Sequence, residues 1–145
     1  MTHEYEGRYR TKHAPGSRPD PDLERHLLSK AKEGHLPCSS AFAAVEKTGA
    51  TPAEIGRAAD LLELKITNCQ LGLFGYGKGK RNIVEPAQQV SEGLAKALRE
   101  AVMDGRLSCL KAWDIARQFG LSKMEITAAC ERLSIPLGPC QLGTF

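Results

Sequence analysis

The sequence predicts a mostly α-helical protein with short β-strands, built as two tandem repeats of one small unit. Three observations carry this. Sliding the sequence along itself by 71 residues lays 23–74 on 94–145 without a gap, with 16 of 52 positions identical; average residue usage gives roughly three by chance. Apolar residues recur at helical spacing in three segments of each repeat. The helix-start pattern Thr51-Pro-Ala-Glu54 stands where the second repeat has Ser122-Lys-Met-Glu125, and both match the capping box. Two copies are too few for a solenoid. The expected organisation is a flexible tail over 1–22, repeat 1 with its basic linker over 23–85, and repeat 2 over 86–145.

The tail carries three prolines and few large apolar groups, and its charges cancel: Arg8, Arg10, Lys12 and Arg18 against Glu4, Glu6, Asp20 and Asp22. That composition predicts a mobile segment and not a basic arm. Leu23, Leu27 and Ala31, like Leu94, Leu98 and Val102, then mark one face of a first helix. Gly34 and Gly105 are read as the caps that end it. A short extended piece follows at 35–38 or 106–109. A second helix carries Ala41 and Val45, or Ala112, Ile115, Ala116 and Phe119, and stops at Gly49 or Gly120.

The third helix is the sharpest expectation. A hydroxyl caps its first turn and a carboxylate answers three residues later. Pro52 occupies a position where its missing N–H costs nothing. The buried faces are Ile55, Ala58, Ala59, Leu62 and Ile126, Ala129, Cys130, Leu133. The shared run Cys-Gln-Leu-Gly-x-Phe (69–74 and 140–145) alternates and reads as a strand, with Gly72 and Gly143 marking a bulge or a close backbone approach. Between the repeats, the glycines and cations of 75–85 mark a loop or hairpin tip.

Composition excludes several classes. At 41% hydrophobic and 26% charged residues the chain is not disordered throughout. No apolar run approaches the ~18 residues of a membrane span. The polar amino-terminus argues against a secretory signal, so the five cysteines are expected as thiols or metal ligands in a reducing, cytoplasmic setting, not as a disulfide framework. A net charge of +3 permits nucleic-acid binding without demanding it.

Helix, short strand, helix, glycine turn, helix, strand resembles the winged helix-turn-helix superfamily, so the fold expected is two tandem winged-helix-like repeats. The residues that carry the likeness are Ile115, Ala116, Gly120 and Leu121, then Ile126 and Ala129. The small residue four before the glycine lets the two helices approach. Repeat 1 departs from this, with Val45 at the small-residue position and Ala50 after the glycine. The resemblance implies that the third helix enters the DNA major groove and a hairpin wing touches the backbone. Carried over, Arg57, Lys123, Thr127 and Arg132 are candidate contacts on the third helices, and Lys78, Lys80, Arg81 and Asn82 on the wing. The implied function is a DNA-binding transcriptional regulator whose partner is duplex DNA. Two features pull the other way. The third helices are not basic: Arg57 and Lys65 face Glu54, Asp60 and Glu63, while Lys123 and Arg132 face Glu125 and Glu131. Phosphate neutralisation supplies much of DNA affinity. Repeat 2 also stops before a complete second wing. The alternative is a protein-interaction adaptor of the same fold, and a third option is a thiol- or metal-responsive version of either. No membrane partner is expected, and a homodimer is one oligomeric option.

Cys38 and Cys69 are 31 residues apart, as are Cys109 and Cys140. Three readings stand: small buried hydrophobes, metal or iron–sulfur ligands, or a redox pair. The spacing is not CxxC, and His35 beside Cys38 is not repeated, because Arg106 replaces it. Cys130, on the apolar face of the third helix, is read as core. No phosphate loop, dinucleotide fingerprint, HExxH or G-x-S-x-G occurs, so neither an enzyme nor an obligatory cofactor is expected.

Overall fold

The computed structural model describes residues 5–77 and 82–145. Among them are six α-helices and one two-stranded parallel sheet, and no helix is long and apolar enough to cross a membrane. The chain forms two compact units. Unit 1 comprises 1–69 together with 141–145, and unit 2 comprises 70–140.

In unit 1, Asp20 caps α1 (Pro21–Lys30) by accepting from the Asp22 and Leu23 N–H groups, and Pro21 opens the first turn. The chain then reverses at Lys32–His35, whose backbone groups exchange two hydrogen bonds of 2.9 Å. Glu33 and Gly34 both have positive φ, 51° and 77°, the backbone of a two-residue primed turn. β1 (His35–Pro37) leads directly into α2 (Cys38–Thr48). Gly49 ends α2 in the left-handed conformation, and α3 (Pro52–Leu61) starts behind a complete Thr51/Glu54 capping box. β2 (Lys65–Thr67) returns parallel to β1, with His35 opposite Lys65 and Pro37 opposite Thr67. Leu27, Leu36, Ala41, Ala44 and Ile55 are fully enclosed. Their burial, at roughly 25 cal/mol per Å² of apolar surface, is the main force holding three short helices together.

Unit 2 repeats the plan. Ser91 caps α4 (Glu92–Ala101), Ser108 caps α5 (Cys109–Phe119), and Ser122 with Glu125 forms the second capping box at α6 (Lys123–Leu133). Asp104 and Gly105, with φ of 52° and 78°, make the same reversal after the first helix. The sheet shrinks to one parallel bridge, Leu107 opposite Leu137. Leu98, Leu107, Ala112 and Ile126 form the enclosed core.

Four expectations are corrected. Gly34 and Gly105 do not cap the first helices, which end at Ala31 and Val102 in extended conformations. They serve the turn that follows, and Asp104-Gly105 is a recognisable signal for it. The Cys-Gln-Leu-Gly-x-Phe run is not a strand: 70–74 and 141–143 are turns and bends. Gly72 and Gly143 sit at φ 79° and 77°, and a Cβ on Gly72 would meet Val84 at 2.6 Å. Phe119 is exposed, and Leu61 is buried where Leu62 is only partly covered. The tail is also not loose over its described part. A 3-10 helix at Tyr9–Lys12 docks on unit 1, where the Glu63 carboxylate accepts from the Tyr9 and Arg10 N–H groups at 2.9 and 2.7 Å. Asp60 pairs with Lys12 and His13, and Lys65 with Glu6.

The unit boundaries reveal an exchange. The segment after α3 (70–74) belongs to unit 2, and the segment after α6 (141–145) belongs to unit 1. Leu142 is buried, and its carbonyl oxygen occupies the place that a Cβ on Gly56 of α3 would take. In unit 2 the equivalent position on α6 is Thr127, whose hydroxyl donates to the Leu71 carbonyl at 2.7 Å. Each third helix is thus completed by the end segment of the other repeat.

Candidate nucleic-acid interface

Twice in the chain a three-residue turn joins two helices. Three residues, Gly49-Ala50-Thr51, join α2 to α3, and Gly120-Leu121-Ser122 join α5 to α6. Both glycines adopt the left-handed backbone that the tight reversal needs. Ala116, the small residue before the second turn, is buried, and the Leu121 N–H bonds to its carbonyl at 2.9 Å.

The described candidate contacts are not equally available. Thr127 is fully buried and its hydroxyl is spent on Leu71, so it cannot touch DNA. Asn82 bridges two partners: its amide donates to Glu131 at 2.8 Å and its carbonyl accepts from the Val84 N–H at 2.7 Å. It staples the connector to α6. Further along, the Ala87 N–H donates to the Ala128 carbonyl at 2.9 Å. The connector therefore lies along the α6 face that carries Ala128 and Glu131, part of the surface a reading helix would present. Lys123 rests its ammonium 4.4 Å from the centre of the Trp113 ring, a cation–π contact within α5 and α6. Arg57 on α3 and Arg132 on α6 are exposed. Lys78, Lys80 and Arg81 lie outside the described residues. Among the described residues after β2, none up to the start of α4 lies in a strand, so no wing hairpin is formed there.

Charge divides unevenly between the units. Unit 1 holds ten Lys or Arg against ten Asp or Glu, and unit 2 holds ten against seven, three of its cations being the 78–81 cluster. The whole net charge of the chain is carried by unit 2.

The repeated cysteines are thiols. Cys38, Cys69 and Cys109 are buried and Cys140 is partly exposed. Among the described residues no group of three or more His, Cys, Asp or Glu side chains gathers as a metal site. Cys130 is enclosed in the α6 core, where burial pushes its thiol up to about 12.

Unit 1 also contains a small cavity of about 20 Å³ walled by Tyr9, Lys12, Asp60 and Thr144. The Tyr9 and Thr144 hydroxyls at it are buried with no hydrogen-bond partner. A space of this size accommodates one water. Burial, then the carboxylates of Glu6, Asp60 and Glu63, raise the Tyr9 phenol to about 12.

No protein-family model, curated protein or solved structure matches this chain.

Proposed function

We propose that the protein is a DNA-binding transcriptional regulator that holds duplex chiefly by its phosphate backbone, with unit 2 as the contacting half. The observation that carries this reading is the charge partition: unit 2 bears the entire net positive charge, and unit 1 is neutral. Backbone contacts need cations and not an open reading helix. This accommodates a buried Thr127, a stapled Asn82 and a covered α6 face. Arg132 and the cations at 78, 80 and 81 are the proposed contacts, with Arg57 a lesser contribution from unit 1. Modest affinity and strong salt dependence follow from so few charges.

The test is fluorescence anisotropy of the reduced protein with mixed-sequence duplex from low to physiological salt. Neutralising four phosphates gives a slope of log K against log salt of about −3.6. Lys78→Ala/Lys80→Ala/Arg81→Ala should remove most of that slope. Absence of binding at low salt would dismiss the regulator and leave the adaptor. That second reading is favoured by the net charge of −1 on α3 and zero on α6 and by Met103 and Leu110 of unit 2, which are 72% and 53% exposed.

A further inference from the structure

In unit 2 the backbone bonds around the parallel bridge fix which residues lie opposite one another. The Leu107 N–H donates to Pro136 and the Leu107 carbonyl accepts from Gly138, which sets Leu107 against Leu137. Two residues on, the Cys109 N–H donates to the Pro139 carbonyl at 3.0 Å. Cys109 is the first residue of α5, and the accepting carbonyl belongs to the peptide that joins Pro139 to Cys140. The backbones of Cys109 and Cys140 are therefore neighbours. With standard bond lengths on either side of that hydrogen bond, their Cα atoms lie within roughly 7 Å, against the roughly 4.4–6.8 Å that a disulfide tolerates between Cα atoms.

We infer that Cys109 and Cys140 form a reversible dithiol–disulfide site, entered through Cys140 and oxidised before the equivalent pair Cys38 and Cys69. The order follows from access. Cys140 is partly exposed, whereas Cys38 and Cys69 are both buried, and a thiol must reach its oxidant to react. The oxidant class is a low-molecular-weight disulfide. The Cys140 thiolate attacks one of its sulfur atoms, forming a mixed disulfide and releasing one small thiol. The Cys109 thiolate then attacks the Cys140 Sγ, the mixed S–S bond breaks, and the second small thiol leaves. Two protein thiols are oxidised, one small disulfide is reduced to two thiols, and the two protein protons end on those thiols. The inference is independent of any DNA binding.

The test uses the full chain and oxidised glutathione. Samples are quenched in acid, blocked with a maleimide under denaturing conditions and mapped by peptide mass spectrometry. The expected product is a peptide pair linked through Cys109 and Cys140, appearing about tenfold faster than any link through Cys38 and Cys69. Cys130 remains fully maleimide-labelled throughout. Cys109→Ser should stop the reaction at the first step, accumulating glutathione on Cys140. Dithiothreitol should reverse both products. The inference is overturned if no 109–140 link forms in the wild-type chain at high oxidant, if Cys140 joins a different thiol, or if the Cys38/Cys69 link forms first. The wild-type map decides these outcomes even if the serine variant fails to fold.

Discussion

Gly56 lies in the middle of α3, and a glycine there ordinarily costs about 1 kcal/mol relative to alanine, so Gly56→Ala would stabilise an unconstrained helix by that amount. Here the sign should reverse. The new Cβ would clash with the Leu142 carbonyl oxygen and lie 2.7 Å from its carbon. Both are backbone atoms, so no flexible side chain can swing aside. If the 141–145 segment is expelled, Leu142, now 3% exposed, forfeits about 1.5–3 kcal/mol of burial. If it stays, the overpacking strain is of similar size, about 1–3 kcal/mol. After the helix-propensity gain is deducted, a net loss of up to about 2 kcal/mol remains. Urea unfolding followed by circular dichroism measures it. Leu142→Ala provides the second arm of a double-mutant cycle. If Gly56→Ala displaces the segment, Leu142→Ala should cost little in that background, leaving a coupling the size of the Leu142 burial, about 1.5–3 kcal/mol. A Gly56→Ala protein more stable than wild type, with additive effects at the two sites, would refute the exchange of end segments between the repeats.

Other outcomes follow from the same geometry. Thr127→Val keeps the shape but leaves the Leu71 carbonyl without its donor inside unit 2, and should cost about 1–3 kcal/mol by the same urea assay; Thr127→Ser should recover most of it. A specific protease site replacing 78–81, cleaved in the folded protein, should leave the two fragments co-eluting on a sizing column, because each unit contains chain from both sides of the cut. Stability should also fall in alkali. Tyr9 is raised from 10.0 and Cys130 from 9.0, each to about 12. The folded protein therefore holds these protons more tightly than the unfolded chain. Their contribution is complete below about pH 9 and is lost as pH rises toward 12, and Tyr9→Phe should shallow the upper part of that fall in thermal melts.

What the sequence discloses is whatever is decided locally or by helical period. The capping boxes, the left-handed glycines at 49 and 120, and the apolar faces built on Ile55 and Ile126 all appear where spacing and end chemistry put them. The failures share a different cause. The Cys-Gln-Leu-Gly-x-Phe alternation mimics a strand, but period two cannot distinguish a strand from a turn that points alternate side chains into a groove. Thr127 reads as an exposed polar residue on a helix, because nothing nearby in the chain announces that a carbonyl 56 positions earlier will take its hydroxyl. Tyr9 and Glu63 are likewise distant in sequence, so the docked 3-10 helix is illegible. Asp104-Gly105 is the exception. Its turn signal is available in the sequence, but a glycine shortly after an apolar helical face reads as a cap just as readily.

The exchange also explains why the end segment is the longest run the repeats share. Two duplicated units that fold separately need to agree only in their own cores. Here the segment that leaves one repeat completes the third helix of the other, so a change at Leu71 is felt against α6 and a change at Leu142 against α3. The two helices answer differently. Gly56 makes room for the Leu142 backbone by having no side chain, whereas Thr127 meets the Leu71 carbonyl with a donor. That difference matters for binding. A reading helix must keep one face free, yet each third helix here spends one flank on the incoming segment, and α6 spends a second on the connector stapled by Asn82. The duplication thus completes its helices at the expense of open helix surface. Under the proposed function, recognition then falls to charge at the margins, above all the 78–81 cluster that the sequence places between the repeats.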